Sequence, residues 1–190
     1  MTLLAAARAI DRFTDRVGRA TSWFTLAMVL VGVWVVMFRY AFSIVFVWLQ
    51  ESMTYMHSAV FLIGAAYAML YDGHARVDIL YKRMTPKSRA IVGLVGTVLF
   101  VLPLSAVVFF GSYRYVLNSW DMLERSQHMR GIPAVFLLKT LIWVFAGGIA
   151  LQGISAVIRN TLTLIGASAA TGEPLDLPMS DETPPSVELL

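Results

Sequence analysis

Hydrophobic and polar positions along this chain fall into long blocks rather than a short alternation. Four apolar blocks stand out: Thr21 to Phe38, Ser52 to Tyr71, Ala90 to Tyr113 and Ala134 to Val157. A helix rises about 1.5 Å per residue, so roughly 20 apolar residues cross a hydrocarbon core of about 30 Å. Membrane-spanning strands would instead show segments of about ten alternating residues, which these blocks lack. The pattern predicts an all-α integral membrane protein with four transmembrane helices. Arg39-Tyr40 follows the first block and Asp72-Gly73 stops the second. Pro103, inside the third, has no backbone N–H to donate and predicts a kink there.

The flanks read differently. Over residues 3–20, Ile10, Phe13, Val17 and Phe24 recur at helical spacing beside a stripe of Arg8, Arg12, Arg16 and Arg19. That is the pattern of an amphipathic helix on a membrane surface, its arginines meeting anionic lipid headgroups. A cleavable signal peptide fits less well, because the first block is near spanning length and no small-residue cleavage site follows it. From Ala167 onward the chain carries Gly172, four prolines and five acidic residues with no periodic apolar face, which predicts a disordered tail. The expected organisation is an amphipathic interfacial helix over 1–20, a four-helix membrane domain over 21–160 and a disordered cytoplasmic tail over 161–190.

Composition sharpens the same reading. Of the 190 residues, 58% are hydrophobic and 14% charged, where a soluble domain has about 45–50% and about 25%. With a mean hydropathy of +0.70, there is too little polar surface to cover a water-soluble enzyme. The absence of cysteine removes disulfides, thiolate metal sites and a thiol nucleophile together. No nucleophile–base pair, phosphate loop, paired carboxylates or zinc spacing occurs, so neither catalysis nor a cofactor is expected. A net charge of +3 borne by cations that flank the apolar blocks points to membrane lipid rather than nucleic acid.

Charge placement also sets an expected orientation. The leader and the 72–89 connection together carry nine Lys and Arg, whereas the first and third connections carry four: Arg39, Arg114, Arg125 and Arg130. The richer side is expected to be cytoplasmic, with both termini on it. Tyr40, Trp48, Tyr113, Tyr115 and Trp120 then gather near the opposite interface.

Polar residues near membrane depth are few, and each is a candidate for function. Lys139 sits about 10 Å along the helix from Pro133, near enough to lift its ammonium to the interface or to pair with an acid. Gly148, Gln152, Ser155 and Arg159 fall at steps of four, three and four on one stripe, as helix-to-helix contacts in membranes require. His57 is expected to be packed and hydrogen-bonded; one such histidine cannot ligate haem between two histidines. His74, Arg76 and Asp78 follow the Asp72-Gly73 break, where they suit a structural turn better than a metal site. Arg39 and Glu51 bracket an apolar stretch containing Trp48, and could pair with each other or each bind a partner subunit.

The run Arg39-Tyr40, Trp48-Leu-Gln-Glu51, Gly64-Ala-Ala-Tyr-Ala68 and His74-Ala-Arg76-Val-Asp78-Ile-Leu resembles the small membrane subunit, of DctQ type, of tripartite ATP-independent periplasmic (TRAP) transporters. Ser119-Trp120, Glu124-Arg-Ser126, Gly131-Ile-Pro133, Lys139 and Leu151-Gln-Gly153 are similar to the later part of the same family, so that about residues 20–160 are covered. The resemblance implies a scaffold subunit in the bacterial inner membrane, working with a large multi-span permease subunit of DctM type and a periplasmic substrate-binding protein. Such a system imports small organic acids with sodium. It further implies that Arg39, Trp48 and Glu51 order the outer ends of the first two helices, and that His74, Arg76 and Asp78 fix the cytoplasmic turn. Trp120, Glu124, Arg125 and Lys139 would shape the outer surface that the partners meet. Rival readings are a membrane anchor of a respiratory oxidoreductase and a small stand-alone transporter.

Overall fold

The computed structural model describes residues 2–71 and 84–166. Four helical rods, each long and apolar enough to cross a membrane, make up these residues, and no strand occurs among them. We label the helices α1 (Thr2–Ala41), α2 (Val47–Leu70), α3 (Pro86–Gly96), α4 (Leu102–Asp121) and α5 (Val135–Leu164). A π-turn over Thr97–Val101 joins α3 to α4 in one continuous rod. Its position has a local cause: Pro103 lies just beyond, has no N–H to donate to the carbonyl four residues earlier and crowds it with its ring, which favours a widened turn before it. The backbone N–H of Leu102 bonds Thr97 O, and the Thr97 hydroxyl bonds Gly93 O at 2.7 Å. At the start of α3, Thr85 caps the helix by accepting from Ser88 N–H.

No boundary falls at residue 20. The segment expected to form a separate surface helix continues into the first apolar block as one helix of 40 residues, about 60 Å long. Proline is absent from this stretch, and a seam of small residues runs through it. Ala7, Thr14, Gly18 and Thr21 are buried at steps of seven, four and three. Gly18 is needed at its place because a Cβ there would run into the ring of Tyr67 on α2. Gly32, further along, comes to Met53, so α1 and α2 run antiparallel.

Among the described elements α5 is central and packs on α1, α2, α3 and α4. Its glycines allow close approach: a Cβ at Gly148 would sit 3.1 Å from Ala66 Cβ, and one at Gly153 would sit 3.0 Å from Leu102. The interior is mostly small side chains: Ala7, Ala59, Ala66, Ala90 and Ala146 are buried with Thr14, Thr21, Thr97, Ser105, Ser119, Gln152 and Ser155, beside Leu70, Val116 and Ile149, while Phe61, Phe100 and Phe110 stay outside. Large apolar side chains outside and small, often polar ones inside depart from the pattern of a soluble protein. Lipid is as apolar as leucine, so burying apolar side chains gives little drive; close packing and interhelical hydrogen bonds hold the helices instead.

The two ends of the bundle differ. One, the loop end, carries the α1–α2 turn and the loop over 122–134. The other, the terminal end, carries the start of α1 and the end of α5. The tail expected over 161–190 lies outside the described residues from position 167 onward.

Candidate functional site

At the terminal end, polar side chains from α1 and α5 form one network. Asp11 accepts from Arg159 Nη1 at 2.6 Å, from Ser155 Oγ at 2.8 Å and from Gln152 Nε2 at 3.1 Å. Gln152 Oε1 in turn accepts from the Thr14 hydroxyl at 3.2 Å. Gln152 and Ser155 are fully buried, and the Arg159 and Asp11 side chains are 16% and 18% exposed. The α5 stripe of Gly148, Gln152, Ser155 and Arg159 therefore faces α1 and α2, with Gly148 against Ala66 and the other three on Asp11. Nearby, Asp15 accepts from Arg19 Nε at 3.0 Å and from the Tyr71 hydroxyl at 2.5 Å. The Tyr71 ring meets that of Tyr67 at a tilt, 4.7 Å between centroids, and Tyr67 packs over Gly18.

At the loop end, two glutamates hold the 122–134 loop from beneath. Glu51, in α2, accepts the Ile132 N–H at 2.6 Å and the Ser126 hydroxyl. Glu124 accepts the Ser119 hydroxyl at 2.6 Å and forms an ion pair with Lys139. The Lys139 ammonium also lies 4.0 Å from the centre of the Tyr115 ring, a favourable cation–π distance. Both attractions engage the ammonium, so Lys139 pairs with an acid. The Lys139 ammonium, followed by the Ser119 hydrogen bond, holds the Glu124 carboxyl below the usual carboxylate range.

The loop backbone closes on itself as well. Ser126 N–H bonds Ile132 O at 3.3 Å, Gly131 N–H bonds His128 O at 3.0 Å, and Val135 N–H bonds Glu124 O at 3.1 Å. Leu123 and Arg130 sit at positive φ, 43° and 68°, so the loop keeps backbone conformations that its side chains disfavour. A Cβ on Gly131 would lie 2.7 Å from Glu51 Oε1. Trp120 Nε1–H donates to Thr140 Oγ1 at 2.9 Å, and its ring stands edge-on to Phe136. Arg125 points outward.

Arg39 and Glu51 do not pair. The loop takes both Glu51 oxygens, while Arg39 is exposed beside a cleft lined by Val35, Phe38, Val45, Phe46, Leu49 and Gln50. Trp48 packs on Phe46 at 6.1 Å. His57, expected to be packed and hydrogen-bonded, is exposed and stacks on the ring of Phe61 at 6.5 Å. Its face of α2 points away from the bundle, and Gly64 on that helix has open space beside it. His74, Arg76 and Asp78 lie outside the described residues. Among the described residues no group of three His, Asp or Glu is placed to hold a metal ion.

Asp11, Thr14, Asp15 and Tyr71 have no site role in the sequence reading, and Ser126 and Ile132 enter it only within the run that carries the resemblance, with no role assigned. For Asp11 a signal exists: it falls on the same α1 face as Ala7, Thr14 and Gly18, and a carboxylate on a seam of small residues requires a donor from a facing helix. Ser126 and Ile132 carry no such signal.

Residues 28–163 match the family model described as tripartite ATP-independent periplasmic transporters, DctQ component. The matched stretch starts within α1, after Asp11 and Asp15, and includes the whole of the glutamate-held loop. No curated protein and no solved structure matches the chain.

Proposed function

The chain belongs to the DctQ family of tripartite ATP-independent periplasmic transporter components, and from that membership we propose that it is a scaffold subunit. It braces a large multi-span permease of DctM type in the inner membrane and offers its loop end to a periplasmic substrate-binding protein. In this reading both termini are cytoplasmic, the loop end faces the periplasm, and the partners carry the sites for sodium and for a small organic acid. One observation supports it above the rest. Two ionic clusters are bonded within the chain: Asp11 to Arg159, Gln152 and Ser155, and Glu124 to Lys139. Groups engaged in this way hold helices and loops in place rather than receive a solute.

The test is reconstitution. Proteoliposomes containing this chain, the large subunit and the binding protein should take up substrate, and omitting this chain should abolish uptake. Substrate uptake by this chain alone would overturn the proposal. Orientation can be read separately because the chain has no cysteine. A Ser43→Cys variant should react with an impermeant maleimide added to the periplasmic side of intact spheroplasts, and Ala170→Cys should react only after lysis.

A further inference from the structure

Arg39 is the one charged residue between Arg19 and Glu51. It is exposed, and no described residue pairs with it. We propose that the cleft between the end of α1 and the start of α2 binds an anionic phospholipid, with Arg39 and Gln50 on its phosphate and Val35, Phe38, Val45, Phe46 and Leu49 along its upper acyl segment.

Three features lead to this ligand. The walls beside the guanidinium are apolar, and the surface around them is apolar as well: Phe42, Ile44, Val45 and Trp48 are exposed, and so is the amphipathic Tyr40. A surface of this kind belongs at the boundary between hydrocarbon and headgroups, where the abundant anion is a lipid phosphate. Secondly, a guanidinium presents a planar fork of donors that matches phosphate oxygens, and the Gln50 side chain, which bonds no described residue, adds a further donor at the same rim. Thirdly, the cleft is formed in advance. Phe38 stacks on Trp34 at 5.6 Å and stands edge-on to Phe46 at 5.2 Å, while the N–H groups of Phe42 and Ile44 both bond Phe38 O. A rigid wall leaves little ordering cost for the lipid to offset. The proposal rests on the membrane setting of the chain and not on its role as a transporter subunit.

Native mass spectrometry of the full chain in mild detergent tests it, with added phosphatidylglycerol or phosphatidylcholine. The wild type should retain one phosphatidylglycerol in preference to phosphatidylcholine. Arg39→Gln should weaken that retention about tenfold, the order expected for a lost charge-assisted hydrogen bond. Arg39→Lys should weaken it less. Arg130→Gln, in the exposed 122–134 loop, removes the same charge away from the cleft and should leave it unchanged. Leu49→Trp fills the cleft while keeping the charge and should also release the lipid, so a folding defect in Arg39→Gln does not leave the outcome open. Equal retention by wild type, Arg39→Gln and Leu49→Trp would overturn the site. So would unchanged lipid retention in Arg39→Gln together with lost co-purification of the large subunit, because that assigns the guanidinium to a protein carboxylate. Failure of this lipid site leaves the reconstitution test above untouched.

Discussion

The two ends of the bundle use acidic residues for different work. At the terminal end Asp11 binds side chains of another helix, and all its partners lie on α5. At the loop end Glu51 binds a loop, taking one backbone N–H and one hydroxyl from 126–132. The first arrangement fixes how helices pack; the second fixes the shape of a segment that faces outward. Disrupting Asp11 should therefore cost global stability, whereas disrupting Glu51 should cost local order and partner binding.

The largest effect should come from Asp11→Ala. It leaves Arg159, Gln152 and Ser155 as donors without an acceptor in a largely buried place, and breaking such a pair from one side costs about 3 kcal/mol. Thermal unfolding of the purified protein in detergent should show a clear drop. Replacing both partners, Asp11→Leu with Arg159→Leu, should recover much of the loss, because no charge is then left buried and unpaired. If the double variant is as unstable as Asp11→Ala, the network does more than satisfy its own charges.

Glu51→Ala comes next. It removes the acceptor for Ile132 N–H and Ser126, a local cost of about 2 kcal/mol, and should raise hydrogen exchange over 123–132 while moving the global unfolding temperature less than Asp11→Ala does. An equal loss of global stability would erase the distinction between the ends. Reversing both charges, Arg39→Glu with Glu51→Arg, should not rescue the single variants, since these residues are not partners. Gly131→Ala should act in the same direction as Glu51→Ala and more weakly, by about 1–2 kcal/mol of local overpacking, because its Cβ would press on Glu51 and Ser126. Exchange rates over the loop would check that order.

The spans could be read from the sequence because lipid imposes a length and a composition on every helix that crosses it. The α5 stripe was legible for a related reason: polar residues at membrane depth are rare enough that spacing alone picks them out. Its partner was not. Asp11 lies among arginines in a segment with the composition of a surface helix, and spacing along one chain says nothing about which helix will face it. Continuity of α1 through residue 20 was hidden for the same cause, since a change of composition looks like a boundary even where no residue breaks the helix. Glu51 shows the limit most clearly. A carboxylate near Arg39 in sequence suggests a pair, but its acceptors are satisfied 75 and 81 residues away by a loop with no period to read. His57 was misplaced because a histidine in an apolar block looks buried in sequence, although a membrane helix can turn that face away from its bundle.

The smallest effect expected is the response of the loop end to acid. Glu124 lies in the 122–134 loop, and the Lys139 ammonium and the Ser119 hydrogen bond hold its carboxyl below the usual range. A group whose pKa is lower folded than unfolded contributes stability that is fully present above its unfolded value, about 4.3, and is lost as pH falls through the folded value. Between pH 5 and 8 the loop should therefore be indifferent to pH through this group. Below about pH 4 the Glu124–Lys139 attachment should loosen, and the emission of Trp120, which packs on Phe136 and bonds Thr140 beside Lys139, should shift. Glu124 is partly open to solvent, so screening keeps the change small. Lys139→Gln removes the ammonium that chiefly lowers the pKa and should move the midpoint of that shift to higher pH, whereas Arg159→Gln, at the other end, should leave it in place. A midpoint that followed Arg159 instead would mean that the two ends are coupled through α5, and the separation between a helix-binding end and a loop-shaping end would have to be given up.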